Sequence, residues 1–166
     1  MKQALLHVTK NDEIYTPDYA VYPLLKHLPK NIIIWESTDY GESNITKVLK
    51  ENGYKVISTH KKNFDFLKDK PDFDFDMIIT NPPYTLKDQF IEKCYSYNKP
   101  FALLLPITAL EGVKRNRLYE KNGLQLIVLD RRINFIKGKS NYFNTSWFCW
   151  KLLTKDLLFE RLEINI

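Results

Sequence analysis

Cysteine, histidine and long apolar runs are all scarce in this chain. Two cysteines in 166 residues, Cys94 and Cys149, make neither a disulfide framework nor a thiolate metal cluster, and both read as reduced fillers. Of the three histidines, His7 and His27 stand without partners at ligand or catalytic spacing, and the alternating Asp72, Asp74 and Asp76 have no further carboxylates beside them. No metal site is expected. No apolar run approaches the ~18–20 residues of a membrane span, and the first residues, MKQALLHVTKNDEIY, contain no long apolar segment followed by a small-residue cleavage site. The expectation is a soluble, intracellular, cytoplasmic protein with no membrane partner. Without an export signal, the sequons at Asn44-Ile45-Thr46 and Asn144-Thr145-Ser146 read as chance matches.

What is present suits one domain of ordinary size. Apolar residues make up 44% and charged residues 27%, a composition too apolar for disorder and too charged for a membrane bundle. The net charge of +5 is unevenly distributed: residues 1–80 hold 11 Lys and Arg against 12 Asp and Glu, whereas residues 81–166 hold 14 against 8. A solvated face would account for such an excess, and so would a surface that attracts a phosphate backbone.

Strand and helix patterns alternate. Asn31–Glu36 is a short apolar run that reads as a strand buried on both faces, and Ser43–Asn52 follows with Ile45, Val48 and Leu49 at helical spacing, closed by Gly53. Tyr54–Thr59 and Phe75–Thr80 read as further strands, separated by an acidic and aromatic stretch. Leu86–Tyr97 carries Phe90, Ile91 and Cys94 on one side, Pro100–Pro106 reads as a buried strand, and Val113–Lys121 as a basic helix. The last two strands, Leu124–Leu129 and Thr145–Leu153, are joined by a basic loop without a helix and should pair as an antiparallel hairpin. On the second of these, Trp147, Phe148 and Trp150 read as core. The predicted fold is α/β, a mainly parallel sheet closed by a terminal hairpin.

Ligands of such sheets bind beyond the carboxyl ends of the strands. That rule selects the loops after Glu36, after Thr59, after Thr80 and after Pro106, and the basic loop after Leu129. Lys114, Arg115, Arg117, Arg131, Arg132, Lys137 and Lys139 then fall on the ligand edge as candidate phosphate contacts.

One of those loops reads Asn81-Pro82-Pro83-Tyr84, directly after a buried strand. The tetrapeptide occurs by chance in a chain of this length on the order of once in a thousand. Two prolines fix φ and remove two donors, so the loop is rigid and rich in acceptors. The Asn81 side-chain oxygen and the Pro82 carbonyl suit both N–H bonds of an exocyclic amine, with Tyr84 stacked on the ring. Accepting both hydrogens draws the nitrogen lone pair out of conjugation, and a sulfonium near the Tyr84 face gains roughly 1–2 kcal/mol of cation–π attraction. A base in a duplex has to be flipped out to reach such a loop. A rigid turn linking strand to helix is the plain alternative.

With these residues the chain resembles the adenine N6-methyltransferases that use S-adenosylmethionine, many of them small phage or restriction-associated proteins. The resemblance runs over roughly residues 12–153. It implies a Rossmann-like sheet with a reversed terminal strand, S-adenosylmethionine as cofactor, and adenine in nucleic acid as substrate, DNA before RNA. Asp12-Glu13-Ile14-Tyr15-Thr16-Pro17 resembles the segment that contacts the methionine part of the cofactor, Glu36 stands at the family's acidic position, and Gly41 is in its cofactor loop. Phe64-Asp65-Phe66-Leu67 resembles the segment against the cofactor adenine. Asn81, Pro82 and Tyr84 match the catalytic motif, and Tyr142-Phe143 lies where the family places an aromatic against the target base.

The sequence departs from the family in two places. The cofactor loop Glu36-Ser-Thr-Asp-Tyr-Gly-Glu-Ser43 holds one glycine, and His60 stands where a carboxylate usually binds the ribose hydroxyls. These departures leave a second reading open, a methyltransferase-like nucleic-acid-binding protein without productive cofactor binding. Methylation of another amide or amine is a third. After Leu153 only residues 154–166 remain, so the expectation is a single domain over 1–166 without a separate target-recognition domain, recognition being loose or supplied by a partner or second subunit.

Overall fold

The computed structural model describes residues 15–39, 41, 43–136 and 143–163. Their apolar runs form seven strands: β1 (Ile33–Glu36), β2 (Lys55–Ser58), β3 (Met77–Thr80), β4 (Phe101–Pro106), β5 (Gln125–Leu129), β6 (Thr145–Trp150) and β7 (Leu157–Glu160). They lie in one sheet in the order β2-β1-β3-β4-β6-β5-β7. β1 to β4 pair in parallel, β6 is antiparallel to both β4 and β5, and β7 pairs in parallel with β5. The expected hairpin is thus β5–β6, with β6 inserted between β4 and β5. A further strand not read from the sequence, β7, extends the sheet beyond β5.

Helices α1 (Tyr22–Leu25), α2 (Asn44–Glu51), α3 (Lys87–Ser96) and α4 (Val113–Asn122) accompany the strands. α2 begins where the Ser43 hydroxyl accepts from the Thr46 amide and ends before Gly53, whose φ of 86° closes the turn. Period-two alternation sends Ile34, Met77, Ile79, Ala102, Leu104, Trp147 and Cys149 into one core with α1 and α2. Trp35, Ile78, Leu103, Leu105 and Phe148 enter a second core with α3. Cys94 and Cys149 are free thiols buried in these cores, and burial pushes both above the usual thiol range.

Residues 59–76 link β2 to β3 without helix or strand. They cover the sheet with rings instead: Phe64, Phe66, Phe73 and Phe75 all lie within 6 Å of the Trp35 ring, at 5.6, 5.0, 5.1 and 4.9 Å between centroids. Asp76, from the acidic run, accepts from the Ile33 amide at 2.8 Å and so caps β1. His27 Nε2 lies 2.9 Å from Glu160, tying the segment after α1 to β7. The chain leaves β1 toward β2 on one side and returns to β3 and β4 on the other. In open α/β sheets such a reversal marks the ligand crevice, here at the carboxyl ends of β1 and β3.

Candidate active site

At that crevice the last residue of β1, Glu36, is 1% exposed. Its carboxylate accepts from the Thr38 amide and hydroxyl at 3.0 and 3.1 Å, from the Ser43 hydroxyl at 2.9 Å and from the Thr80 hydroxyl at 2.5 Å. Burial pushes its carboxyl above the ordinary range against those four bonds. The acid expected to face a cofactor therefore binds the loops after β1 and β3 to each other. Asp39 stabilises the rest of the loop, accepting from the Gly41 amide at 2.7 Å, the Ser43 amide at 3.1 Å and the Thr46 hydroxyl at 2.6 Å. Burial raises the Asp39 carboxyl, but these bonds outweigh it and hold the group below its usual value. Gly41 adopts φ 117°, a conformation open to glycine.

Asn81 follows Thr80 at the end of β3, and two hydroxyls hold it. The Thr38 hydroxyl, 2.7 Å from that of Thr80, also lies 3.3 Å from the Asn81 carbonyl and shares its one hydrogen among these neighbours and Glu36, while the Asn81 Nδ2 donates to Thr16 Oγ1 at 2.9 Å. The remaining amide atom, Oδ1, is buried and has no hydrogen-bond partner among the described residues. Ser37 Oγ, after β1, is buried and unpartnered in the same way. Buried polar atoms without partners are rare in folded chains and mark ligand positions or strain.

Tyr84 is half-buried with its hydroxyl enclosed, and burial drives that phenol above its usual range. Phe143 meets its ring edge-on, centroids 5.8 Å apart at 72°. This brings the two expected base-contacting aromatics together. Tyr142, Lys137, Lys139, Tyr40 and Glu42, and the entry residues before Tyr15, lie outside the described residues.

The other candidates divide. Pro17 starts the turn that continues into α1. His60 is buried after β2, its Nδ1 accepting from the Lys62 amide at 3.4 Å. Asp65 is partly exposed, accepting from the Leu67 amide at 3.0 Å with Lys68 at 3.4 Å. Phe66, expected against a cofactor adenine, is 3% exposed and stacked on Phe90 at 4.8 Å. Its ring belongs to the second core.

Among the cations, Arg115 is internal: its guanidinium donates to Asp88 at 2.5 Å, to the Ala109 carbonyl at 3.0 Å and to the Glu111 carbonyl. A Cβ on Gly112 would lie 2.6 Å from that guanidinium, at a φ of 120°. Lys114 pairs with Glu92 at 2.7 Å, Arg131 with Asp130 at 3.5 Å, and Arg132 donates to Asn144 at 3.0 Å. Arg117 is exposed and, with Lys114, Lys121, Val113 and Leu118, lines a groove of about 420 Å³ on α4. Sequence reasoning misses the hydroxyl residues Ser37, Thr38, Thr46 and Thr80. For Ser37, Thr38 and Thr80 the one signal is a hydroxyl at or just past the carboxyl end of an apolar strand flanking the crevice, whereas Thr46 lies in the first turn of α2.

No protein-family model matches this sequence, and no curated protein does. Solved structures do share its architecture. The type I restriction-modification methyltransferase subunit from Streptococcus thermophilus superposes with a TM-score of 0.58 at 15% identity, over 89% of this chain and 46% of that one. A putative class I S-adenosylmethionine-dependent methyltransferase from Listeria monocytogenes gives 0.58 at 16% identity, over 95% and 68%. The fold is that of the class I methyltransferases. A modification subunit of a putative type I restriction enzyme from Vibrio vulnificus gives 0.59 at 10% identity, over 95% and 49%. The chain thus spans about half the length of the two restriction-system subunits. Among the described residues no helix is long and apolar enough to cross a membrane.

Proposed function

We propose that the protein is an S-adenosylmethionine-dependent methyltransferase acting on the N6 amine of adenine in nucleic acid, DNA in the first place. The observation that carries this reading is the unpartnered Asn81 Oδ1 at the β1/β3 crevice, in a motif followed by a half-buried tyrosine. The residues present fit the cofactor in part. Ser37 Oγ and the crevice itself suit its polar methionine end, whereas His60 replaces the carboxylate for its ribose, and Glu36 is engaged internally.

When bound, S-adenosylmethionine supplies an activated methyl group on sulfur. Asn81 Oδ1 and the Pro82 carbonyl accept the two amine hydrogens, which fixes the nitrogen and turns its lone pair out of the ring. Tyr84 and Phe143 hold the flipped base by its faces and edges. Exposed cations, Arg117 and Arg131 above all, hold the phosphates. Fold likeness to two restriction-system methyltransferase subunits supports the substrate class.

The test is transfer of labelled methyl from S-adenosylmethionine to adenine-containing DNA, which Asn81→Ala should abolish while the circular dichroism spectrum is unchanged. Equal transfer by the variant would refute the role of the motif. A second reading, a nucleic-acid-binding protein of methyltransferase fold without turnover, is favoured by the internal engagement of Glu36 together with His60. Salt-dependent DNA binding without cofactor binding in calorimetry would select it.

A further inference from the structure

Thr16 comes from the segment before α1, far in sequence from Asn81, and is 5% exposed. Its Oγ1 accepts from Asn81 Nδ2 at 2.9 Å, and its own carbonyl accepts from Asn44 Nδ2 at 2.9 Å. Asn44 is the first residue of α2, immediately after the loop that Asp39 and Ser43 organise. With Nδ2 engaged on Thr16, Oδ1 is the amide atom left at the crevice, buried and unpartnered. Thr38 holds the same residue by its backbone carbonyl. An amide side chain otherwise rotates about its terminal bonds and presents donor or acceptor with similar ease.

We infer that Thr16 is a positioning residue, whose hydroxyl fixes the Asn81 amide so that its oxygen faces the amine, and that Asn44 holds Thr16 in place. The assignment rests on the proposed methyl transfer and differs from the cofactor-binding role that the sequence resemblance implies for Thr16. The two roles separate kinetically. If Thr16 bound the cofactor, its removal would raise KM for S-adenosylmethionine, whereas a loosened acceptor lowers kcat.

Thr16→Val, which keeps the shape and removes the acceptor, should lower kcat on the order of 10-fold or more, with KM for S-adenosylmethionine changed less than about twofold. Thr16→Ser should restore most of the rate. A variant that raises only KM, or one that leaves both constants unchanged, overturns the assignment. Thr16→Ala takes the place of Thr16→Val if the latter does not fold. A readout independent of turnover is the pair of Asn81 side-chain amide signals in nitrogen-15 NMR spectra. Their hydrogen exchange should accelerate several-fold in Thr16→Val, and unchanged exchange overturns the assignment even in a protein without methyl transfer. Absence of transfer by the wild-type protein, with accelerated exchange in the variant, sinks the proposed function and leaves the Thr16–Asn81 coupling standing.

Discussion

Asn81→Ala should remove activity and leave the protein's stability nearly unchanged. The wild-type amide gains one hydrogen bond, Nδ2 to Thr16 Oγ1 at 2.9 Å, a net contribution of about 0.5–1.5 kcal/mol. Its Oδ1 is buried without a partner, which costs about 1–3 kcal/mol of lost hydration. Truncation removes both, and the half-buried site loses little packing. Against that relief stands the Thr16 hydroxyl, 5% exposed and left without its donor at a similar cost, so the variant should lie within about 1 kcal/mol of the wild type, or roughly 2–4 °C in Tm for a domain of this size. Urea unfolding of the two proteins, with equal m values, measures it. A loss of more than about 1 kcal/mol would show that the amide is a structural brace, and would refute the reading of Oδ1 as an acceptor held open for substrate.

Four further outcomes concern the charged groups and a fifth the core. Glu36 has its carboxyl raised by burial, so the folded protein holds that proton more tightly than the unfolded chain. Stability contributed by this group is present below its ordinary 4.5 and is lost as pH rises through the raised value, so Glu36→Gln should gain stability relative to the wild type as pH rises and lose that advantage in acid, as urea unfolding across pH measures. Asp39 works in the opposite sense, stabilising above its ordinary 3.8 and losing that stabilisation as pH falls through its lowered value. Arg115→Ala should cost about 1–3 kcal/mol in urea unfolding without changing the salt dependence of nucleic-acid binding, because its partners are Asp88 and two carbonyls. Arg117→Ala should leave stability within about 0.5 kcal/mol and lower the slope of log affinity against log salt by about one. Trp35→Ala empties the space ringed by four phenylalanines and should cost about 3–5 kcal/mol by the same unfolding measurement.

Six strands are legible in the sequence because each is a short apolar run bounded by turn residues, and the core face of each follows from alternation. β7 is not, since Leu157–Glu160 is a four-residue edge strand with its alternate residues exposed, among them Phe159 at 73%. Its place comes from pairing with β5, and from Glu160 reaching back to Lys26 and His27. The ring cluster on Trp35 is equally hidden, because an irregular segment has no period to read. In the site, the motif at Asn81–Tyr84 stands out by its rarity, and its position at the mouth of the crevice follows from the buried strand before it. The duties of single side chains do not. Arg115 counts as one positive charge in any sum along the chain, but Asp88 on α3 consumes it. Phe66 sits in a segment that resembles a cofactor-binding one, yet its ring stacks on Phe90 in the core. Such pairings are made by the fold across dozens of residues, and composition carries no trace of them.

In the proposed function, Asn81 and Pro82 present acceptors to an adenine amine beside an activated methyl group. Digestion of DNA to nucleosides after incubation with the protein and labelled S-adenosylmethionine, followed by mass spectrometry, tests it most directly. The predicted result is label in N6-methyladenine, on single-stranded DNA at least, and none with Asn81→Ala. Label in another base, in protein, or in neither, from a folded wild-type protein, would contradict it.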